Sequence, residues 1–245
     1  MNLRLHILVL AILLVSSQLT LGEKESSERY LVGETITYSI KKLGVKAGEA
    51  ILTFHGKQNW DGKEVLLITF EATALNFFDQ EKIYIDPKTF FPLRVERDLN
   101  VFGKKEKIFE DYDSPQGIVK ITKMVGDKKT QKTIQKTGNI DNIYCFIYRY
   151  RKHGQFNLGD TLKINLPTKE VEISLEKVNT IKAAGQVFDS YFMQSNPKKY
   201  QVWFDTGPHK IPIRIDGAVG LGNTSMVMEK YHNQSVHPRM NQQGS

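Results

Sequence analysis

From residue 34 onward, apolar and polar residues alternate along the chain. Ile36, Tyr38 and Ile40 share one parity, and Thr35, Thr37, Ser39 and Lys41 share the other. Leu93, Val95 and Leu99 stand against Arg94, Glu96 and Asp98 in the same way. Leu162, Ile164 and Leu166 repeat the scheme, as do Val171, Ile173 and Leu175. A two-residue period rich in β-branched and aromatic side chains predicts half-buried antiparallel strands. Asp61-Gly62 and Gly126-Asp127 sit between such runs, where tight hairpin turns belong. The pattern yields about fourteen strands, too many for a flat open sheet. It predicts a mainly β fold, an antiparallel meander curled into a barrel or half-barrel.

The chain also echoes itself. "LVGETITY" from Leu31 matches "NLGDTLKI" from Asn157, and "DGKEVLLITFEA" from Asp61 loosely matches "AAGQVFDSYFMQ" from Ala184. "IYIDPKTFFPLRVE" from Ile83 matches "VWFDTGPHKIPIRID" from Val202 with one residue inserted. Three echoes in one order imply an internal duplication, with a period too long for a solenoid. The halves span 31–136 and 157–231, and residues 31–112 are expected to superpose on 157–231. In the third echo, Asp86 and Asp205 end a strand and can bond the backbone of the following turn. Pro92 and Pro212 begin the next strand, where a missing N–H is tolerated. Arg94 and Arg214 lie opposite their apolar neighbours. These six residues read as builders of a hairpin rather than as catalysts.

Between the halves lies "NIDNIYCFIYRYRKHG". Ile140, Ile143, Tyr144, Ile147 and Tyr148 keep helical spacing, with Asn139 or Asp141 as cap and Gly154 as stop. Tyr144, Phe146, Tyr148 and Tyr150 alternate equally well as a strand. The tail, residues 232–245, is polar and reads as disordered.

The first 22 residues change the picture. Arg4 precedes an apolar run from Leu5 to Val15 interrupted only by His6, and Thr20 and Gly22 are small residues suited to cleavage. That is the anatomy of a signal peptide, and the run is shorter than the roughly 20 residues that span a bilayer. The expected arrangement is a leader at 1–22 and a single β domain at 23–231, exported and not membrane-spanning once cut. The formal net charge of +7 is spread along the strands without a block of like charge. An exported basic protein favours acidic surfaces over nucleic acid. Cys145 is the only cysteine, so a core rather than disulfides must hold the fold.

Catalytic signatures are missing. The chain contains no Gly-x-Ser-x-Gly elbow, no His-Glu-x-x-His pair and no Walker loop. "GAVGLGNTS" is followed by strand-like alternation, not by the helix a phosphate site needs. The histidines lack the rigid spacing of a zinc site. Cys145 lies between aromatic residues with no base in view, so it reads as packing. No catalytic residue, cofactor or metal is therefore assigned.

Gly33-Glu34-Thr35-x-Thr37-Tyr38-x-Ile40, then Gly44 and Lys46-Ala47-Gly48-Glu49-Ala50, resembles the opening of the domain of unknown function 3108 family of exported Gram-negative proteins. Asp141-x-x-Tyr144 with Arg149 or Arg151, Gly159-Asp160-Thr161, Trp203-x-Asp205 and Pro212-x-Arg214 extend the similarity over roughly Tyr30 to Tyr231. The resemblance implies a short linker helix at 141–151. It departs at Tyr144, where the family helix usually carries a small Ser. The late hairpin is also similar to that of outer-membrane lipoprotein carriers, which implies an open half-barrel with an apolar cavity.

The resulting expectation is a periplasmic, non-enzymatic binding or carrier module for a lipid or lipoprotein acyl chain, with an envelope scaffold binding protein or glycan as the alternative. Phe77, Phe78, Tyr144, Ile147 and Tyr148 are the candidate ligand-binding residues. The helix is expected to present the last three, with Ile143, to the sheet. Arg149 and Arg151 should stay near water or pair with acids. Protein recovered from an envelope fraction should have lost residues 1–22 by intact mass, whereas a full-length, membrane-integral product would refute the leader.

Overall fold

The structure is a computed structural model that describes residues 32–219 and 223–233. The leader and residues 234–245 of the assigned tail lie outside the described residues. Among the described residues, fourteen strands and one helix follow in order: β1 (Glu34–Lys42), β2 (Val45–Trp60), β3 (Lys63–Ala74), β4 (Phe77–Ile85), β5 (Pro92–Val101), β6 (Lys104–Asp113), β7 (Ile118–Val125), β8 (Lys128–Gln135), α1 (Ile143–His153), β9 (Thr161–Leu166), β10 (Lys169–Ala183), β11 (Gln186–Asn196), β12 (Gln201–Asp205), β13 (Pro212–Asp216) and β14 (Thr224–His232). His232, assigned to the tail from its polarity, is the last residue of β14, because pairing with Thr35 of β1 holds it in the ladder.

All fourteen strands form one antiparallel sheet in the order β8-β7-β6-β5-β4-β3-β2-β1-β14-β13-β12-β11-β10-β9. Each neighbour is the next strand in sequence except at the centre, where β1 pairs β14. The sheet is not closed: β8 and β9 are its edges. The turns obey local chemistry. Asp61 and Gly62 both take positive φ (52° and 78°), as a two-residue turn between twisted strands demands. Edge strand β8 carries exposed Lys128, Lys129 and Lys132, charges that discourage pairing with another chain.

The sheet curls around α1. Ile36, Tyr38 and Ile40 of β1, Leu52 and Phe54 of β2, and Ile68 and Phe70 of β3 are buried. So are Val202 and Phe204 of β12 and Met226 and Met228 of β14. Helix residues fill the concave space: Tyr148 stacks on Phe54 at 5.1 Å and Tyr144 on Phe70 at 4.6 Å. Tyr150 lies 6.0 Å from Phe204 on the other half. Cys145 and Ile147 are wholly buried.

The helix starts and ends two residues later than the expected 141–151. Asn142 is the cap, accepting from Tyr144 N at 2.8 Å. Asp141 is held outside because its N–H donates to Asn165 O of β9 at 2.8 Å. At the other end the N–H of Gly154 donates to Tyr150 O, and a Cβ there would lie 2.5 Å from that oxygen.

Matching phrases in the sequence adopt matching local geometry. Gly33 and Gly159 take φ of 80° and 87°. Their N–H groups donate to Phe54 O and Leu175 O, and Thr35 and Thr161 reach across to Thr53 and Ser174. The N–H of Asp86 donates to Phe91 O, and that of Asp205 to Ile211 O. Two residues before each proline stands a residue with positive φ, Phe90 (59°) or Lys210 (49°). Arg94 binds Glu96 and Arg214 binds Asp216, in each case two positions on.

One charged contact joins these parts. Arg151 and Glu34 are both fully buried, with Nη1 to Oε1 at 2.5 Å and Nη2 to Oε2 at 2.8 Å. Arg151 also donates to His209 O between β12 and β13. Glu34 further accepts from Tyr148 of α1 (3.2 Å) and Tyr231 of β14 (3.0 Å). Removing one partner of such a pair strands a buried charge. Arg151→Leu should therefore cost about 3–5 kcal/mol in urea unfolding. Glu34→Leu combined with Arg151→Leu should recover part of that loss. A single variant as stable as the parent would show that the pair holds nothing together.

Candidate functional site

β4 reads "FFDQEKIYI". Its period of two puts Asp79 and Glu81 on the same side as Phe77, Ile83 and Ile85, the side facing the core. In β5 Arg97 shares parity with buried Val95, and in β6 Glu110 shares it with Tyr112. The pleat thus turns four charged groups inward, toward the N-terminal end of α1. There the sheet leaves a cleft of about 200 Å³. Glu81, Arg97, Glu110 and Tyr112 form one wall, and Asp141 and Tyr144 form the second. Leu166 at the end of β9 and Thr168 of the β9–β10 turn, with Tyr200 and Ala218, close the third.

The charges in the cleft do not balance locally. Arg97 is held by Asp79, with Nε to Oδ1 at 2.7 Å, and only leans on Glu81 at 3.4 Å. Arg149 is held by Asp141 through both nitrogens and lies over the Phe91 ring at 4.1 Å. Glu81 thus shares Arg97 with Asp79, and Glu110, which forms no ion pair among the described residues, accepts from the Tyr112 hydroxyl. Burial therefore dominates both. It pushes the Glu81 carboxyl up to about 8, with Arg97 opposing and Asp79 and Glu110 reinforcing. Burial raises Glu110 against Tyr112 and Arg97, and raises Asp141 against Arg149. It also lifts the Tyr144 phenol well above its usual range, with Glu81 and Asp79 adding to the effect. The Tyr144 hydroxyl is buried and has no hydrogen-bond partner in the structure, although most buried polar atoms have one.

The five residues expected to bind ligand separate. Tyr144 reaches this cleft. Ile147 and Tyr148 are packed inside the core, where the helix occupies the concave face. Phe77 is buried on the inner side, and Phe78, next in sequence, points to the outer side. There it joins Leu99, Asn100, Lys105, Lys107 and Met124 in a second groove of about 630 Å³. The hairpin residues Asp86, Pro92, Arg94, Asp205, Pro212 and Arg214 line neither opening. Asp86 instead accepts from the backbone of Lys88 and Thr89, and Asp205 from Ile211 N.

Asp79, Glu81, Arg97, Glu110 and Tyr112 were not singled out from sequence. Their signal was present: a carboxylate at a position whose parity neighbours are apolar is a charge assigned to the core.

The raised Glu81 carboxyl sets a sign for pH dependence. Above the ordinary carboxylate range the unfolded chain has lost this proton while the folded chain keeps it. Stability should fall as pH rises from about 5 to about 8 and then level off. Glu81→Gln, which cannot ionise, should flatten that fall in urea midpoints taken across the window. An unchanged slope would place the proton elsewhere in the cluster.

Comparison with known proteins adds the following. No curated protein matches the sequence. Among solved structures, a beta-barrel-like protein of domain of unknown function DUF1849 from Brucella abortus aligns at 9% identity and a TM-score of 0.49, covering 82% of this chain and 97% of that one. A candidate lipoprotein from Parabacteroides distasonis (10% identity, TM-score 0.26) covers 82% of this chain and 95% of its own. A candidate exported protein with a YmcC-like fold from Bacteroides fragilis (12%, 0.27) covers 82% and 96%. No helix among the described residues is long and apolar enough to cross a membrane. The family model described as protein of unknown function (DUF3108) matches residues 35–229, and the chain belongs to that family.

Proposed function

We propose that this protein is a non-catalytic binding module of the bacterial periplasm, exported by its leader, whose ligand enters the cleft beside Tyr144. The observation that carries this is the Tyr144 hydroxyl, buried without a partner at the floor of an opening lined by Glu81 and Glu110. A buried polar group left unpaired costs about 1–3 kcal/mol, a cost that a ligand recovers when it supplies the partner. Cys145, the one thiol near the floor, is wholly buried, and burial holds it protonated. It therefore serves packing rather than nucleophilic attack.

A second function, carriage of a lipid or lipoprotein acyl chain, is favoured by the outer groove. Phe78, Leu99 and Met124 offer an apolar strip flanked by Lys105 and Lys107. A scaffold role remains an outcome of the test below.

Ala218→Trp fills the cleft without altering any of its charges. Wild-type protein isolated from an envelope fraction should release a small polar molecule on denaturation, detected by mass spectrometry, and the Ala218→Trp protein should not. Equal yields from both proteins would move the ligand elsewhere, to the outer groove if it is an acyl lipid. A wild-type protein that carries no small molecule but retains one envelope protein would make it a scaffold.

A further inference from the structure

We infer that the cleft beside Tyr144 is built for a primary ammonium group that carries an anionic group behind it, as in an aminoethyl phosphate. This rests on the cleft being a ligand site and names what it takes. The local charge balance gives the sign. Asp141 is neutralised by Arg149, while Arg97, bonded to Asp79 and 3.4 Å from Glu81, is one cation shared among Asp79, Glu81 and Glu110, which leaves the carboxylates facing the cleft in excess. The hydroxyl of Tyr144 offers an acceptor at the floor. An ammonium has three N–H donors and no acceptor. Two carboxylates and a phenol oxygen match its three donors.

A metal ion fits less well. Among the described residues no group of three or more His, Cys, Asp or Glu side chains converges to hold one. Bound calcium ordinarily takes six to eight oxygen ligands.

The rim excludes a bare cation. Tyr200, one of the cleft's lining residues, carries Lys169 and Lys199 against its ring at 5.3 and 5.6 Å from the centroid. Burial, and after it the neighbouring Lys199 ammonium, lower the basicity of Lys169. An anionic group at the mouth would relieve their repulsion. The ligand is thus zwitterionic, with its amine inward and its anion at the mouth.

Binding should displace a proton. The groups facing Glu81 are Asp79 on its own strand, Arg97 on β5, and Glu110 with Tyr112 on β6. Tyr144 and Cys145 on α1 complete its surroundings. With only Arg97 opposing its burial, the empty cleft keeps Glu81 protonated near neutral pH, and an incoming ammonium replaces that proton.

The test uses the full mature chain, freed of bound molecules by refolding, and two probes of equal size. O-phosphoethanolamine carries the ammonium, and 2-hydroxyethyl phosphate carries a hydroxyl in its place. Calorimetric titration at pH 7 should show the first binding at least tenfold more tightly, with a heat that depends on the buffer because a proton is released. Glu81→Gln should lose at least tenfold in affinity and lose the buffer dependence. Tyr144→Phe keeps the stack on Phe70, so it should fold and still bind several-fold more weakly. Equal binding of both probes, or an affinity indifferent to both variants, overturns the proposal. If Ala218→Trp removes a copurifying ligand that has no amine, the ammonium assignment fails while the cleft stands as a site. If no ligand copurifies and neither probe binds, both fail. Vesicles distinguish the source: Glu81-dependent flotation with phosphatidylethanolamine but not phosphatidylglycerol assigns the amine to a lipid headgroup, and binding of the free probe alone assigns it to a soluble molecule.

Discussion

The buried pair between Arg151 and Glu34 is the constraint around which the molecule is arranged. Its ties run to α1, to β1 at the middle of the sheet, to β14 through Tyr231, and to the β12–β13 turn through His209 O. A guanidinium with no exposure must satisfy its donors inside the protein. Once its partners are fixed, the orientation of α1 follows, because the next turn back places Tyr148 on Phe54 and Tyr144 on Phe70. Burying ions is costly, so such a pair adds little net stability compared with an apolar filling. Its value is specificity: only one placement of the helix leaves neither charge orphaned. The cleft depends on that placement, since Tyr144 in the first turn of α1 and Asp141 just before it line the opening at the opposite end of the helix from Arg151.

Most of the fold was legible in the sequence because strand chemistry is local. Period-two alternation, Asp61-Gly62 and the prolines at 92 and 212 each act within a few residues. Between the halves the residue pattern fitted helix and strand alike; the family resemblance implied the helix, but not its limits. Asp141 is as good a cap as Asn142 in isolation, and what excludes it is a bond to Asn165 on a strand that comes later in the chain. Arg151 was expected near water or beside an acid. It found the acid but lost the water, because Glu34, Tyr148 and the His209 carbonyl enclose its guanidinium. The candidate ligand residues were chosen by their apolar character, and apolar residues are what a core consumes. Ile147 and Tyr148 went there. The charged residues of the cleft were overlooked because Asp79 and Glu81 look like ordinary solvated positions until parity is applied to them.

The two Gly-acid-Thr phrases show how equivalent positions take different work. In both, the glycine turns the chain and the threonine reaches across to the neighbouring strand. Glu34, however, is completely buried in the central pair, while Asp160 at the sheet edge stays partly exposed and its backbone carbonyl accepts from Leu175 N. The backbone task is common to the two positions. The side-chain task depends on whether a strand lies at the middle or at the edge of the sheet.

The pairing of β1 with β14 carries a consequence for how the chain reaches this state. The two strands are neighbours in space but lie at opposite ends of the described sequence, and Tyr231 meets Glu34 across 197 positions. Every other strand pair is a hairpin that forms as soon as its second strand exists. The central seam must wait for the last strand. Until then the two meanders present unsatisfied backbone edges at β1 and β13, and Glu34 has Arg151 but not Tyr231. Such a topology concentrates its loop-closure entropy in one late event, and long-range strand pairing is slow and exposed to misassociation while it is pending. β14, the last strand among the described residues, is thus the one that joins the two meanders, and a chain that stops short of Thr224 would leave the middle of the sheet, rather than its rim, open to other strands.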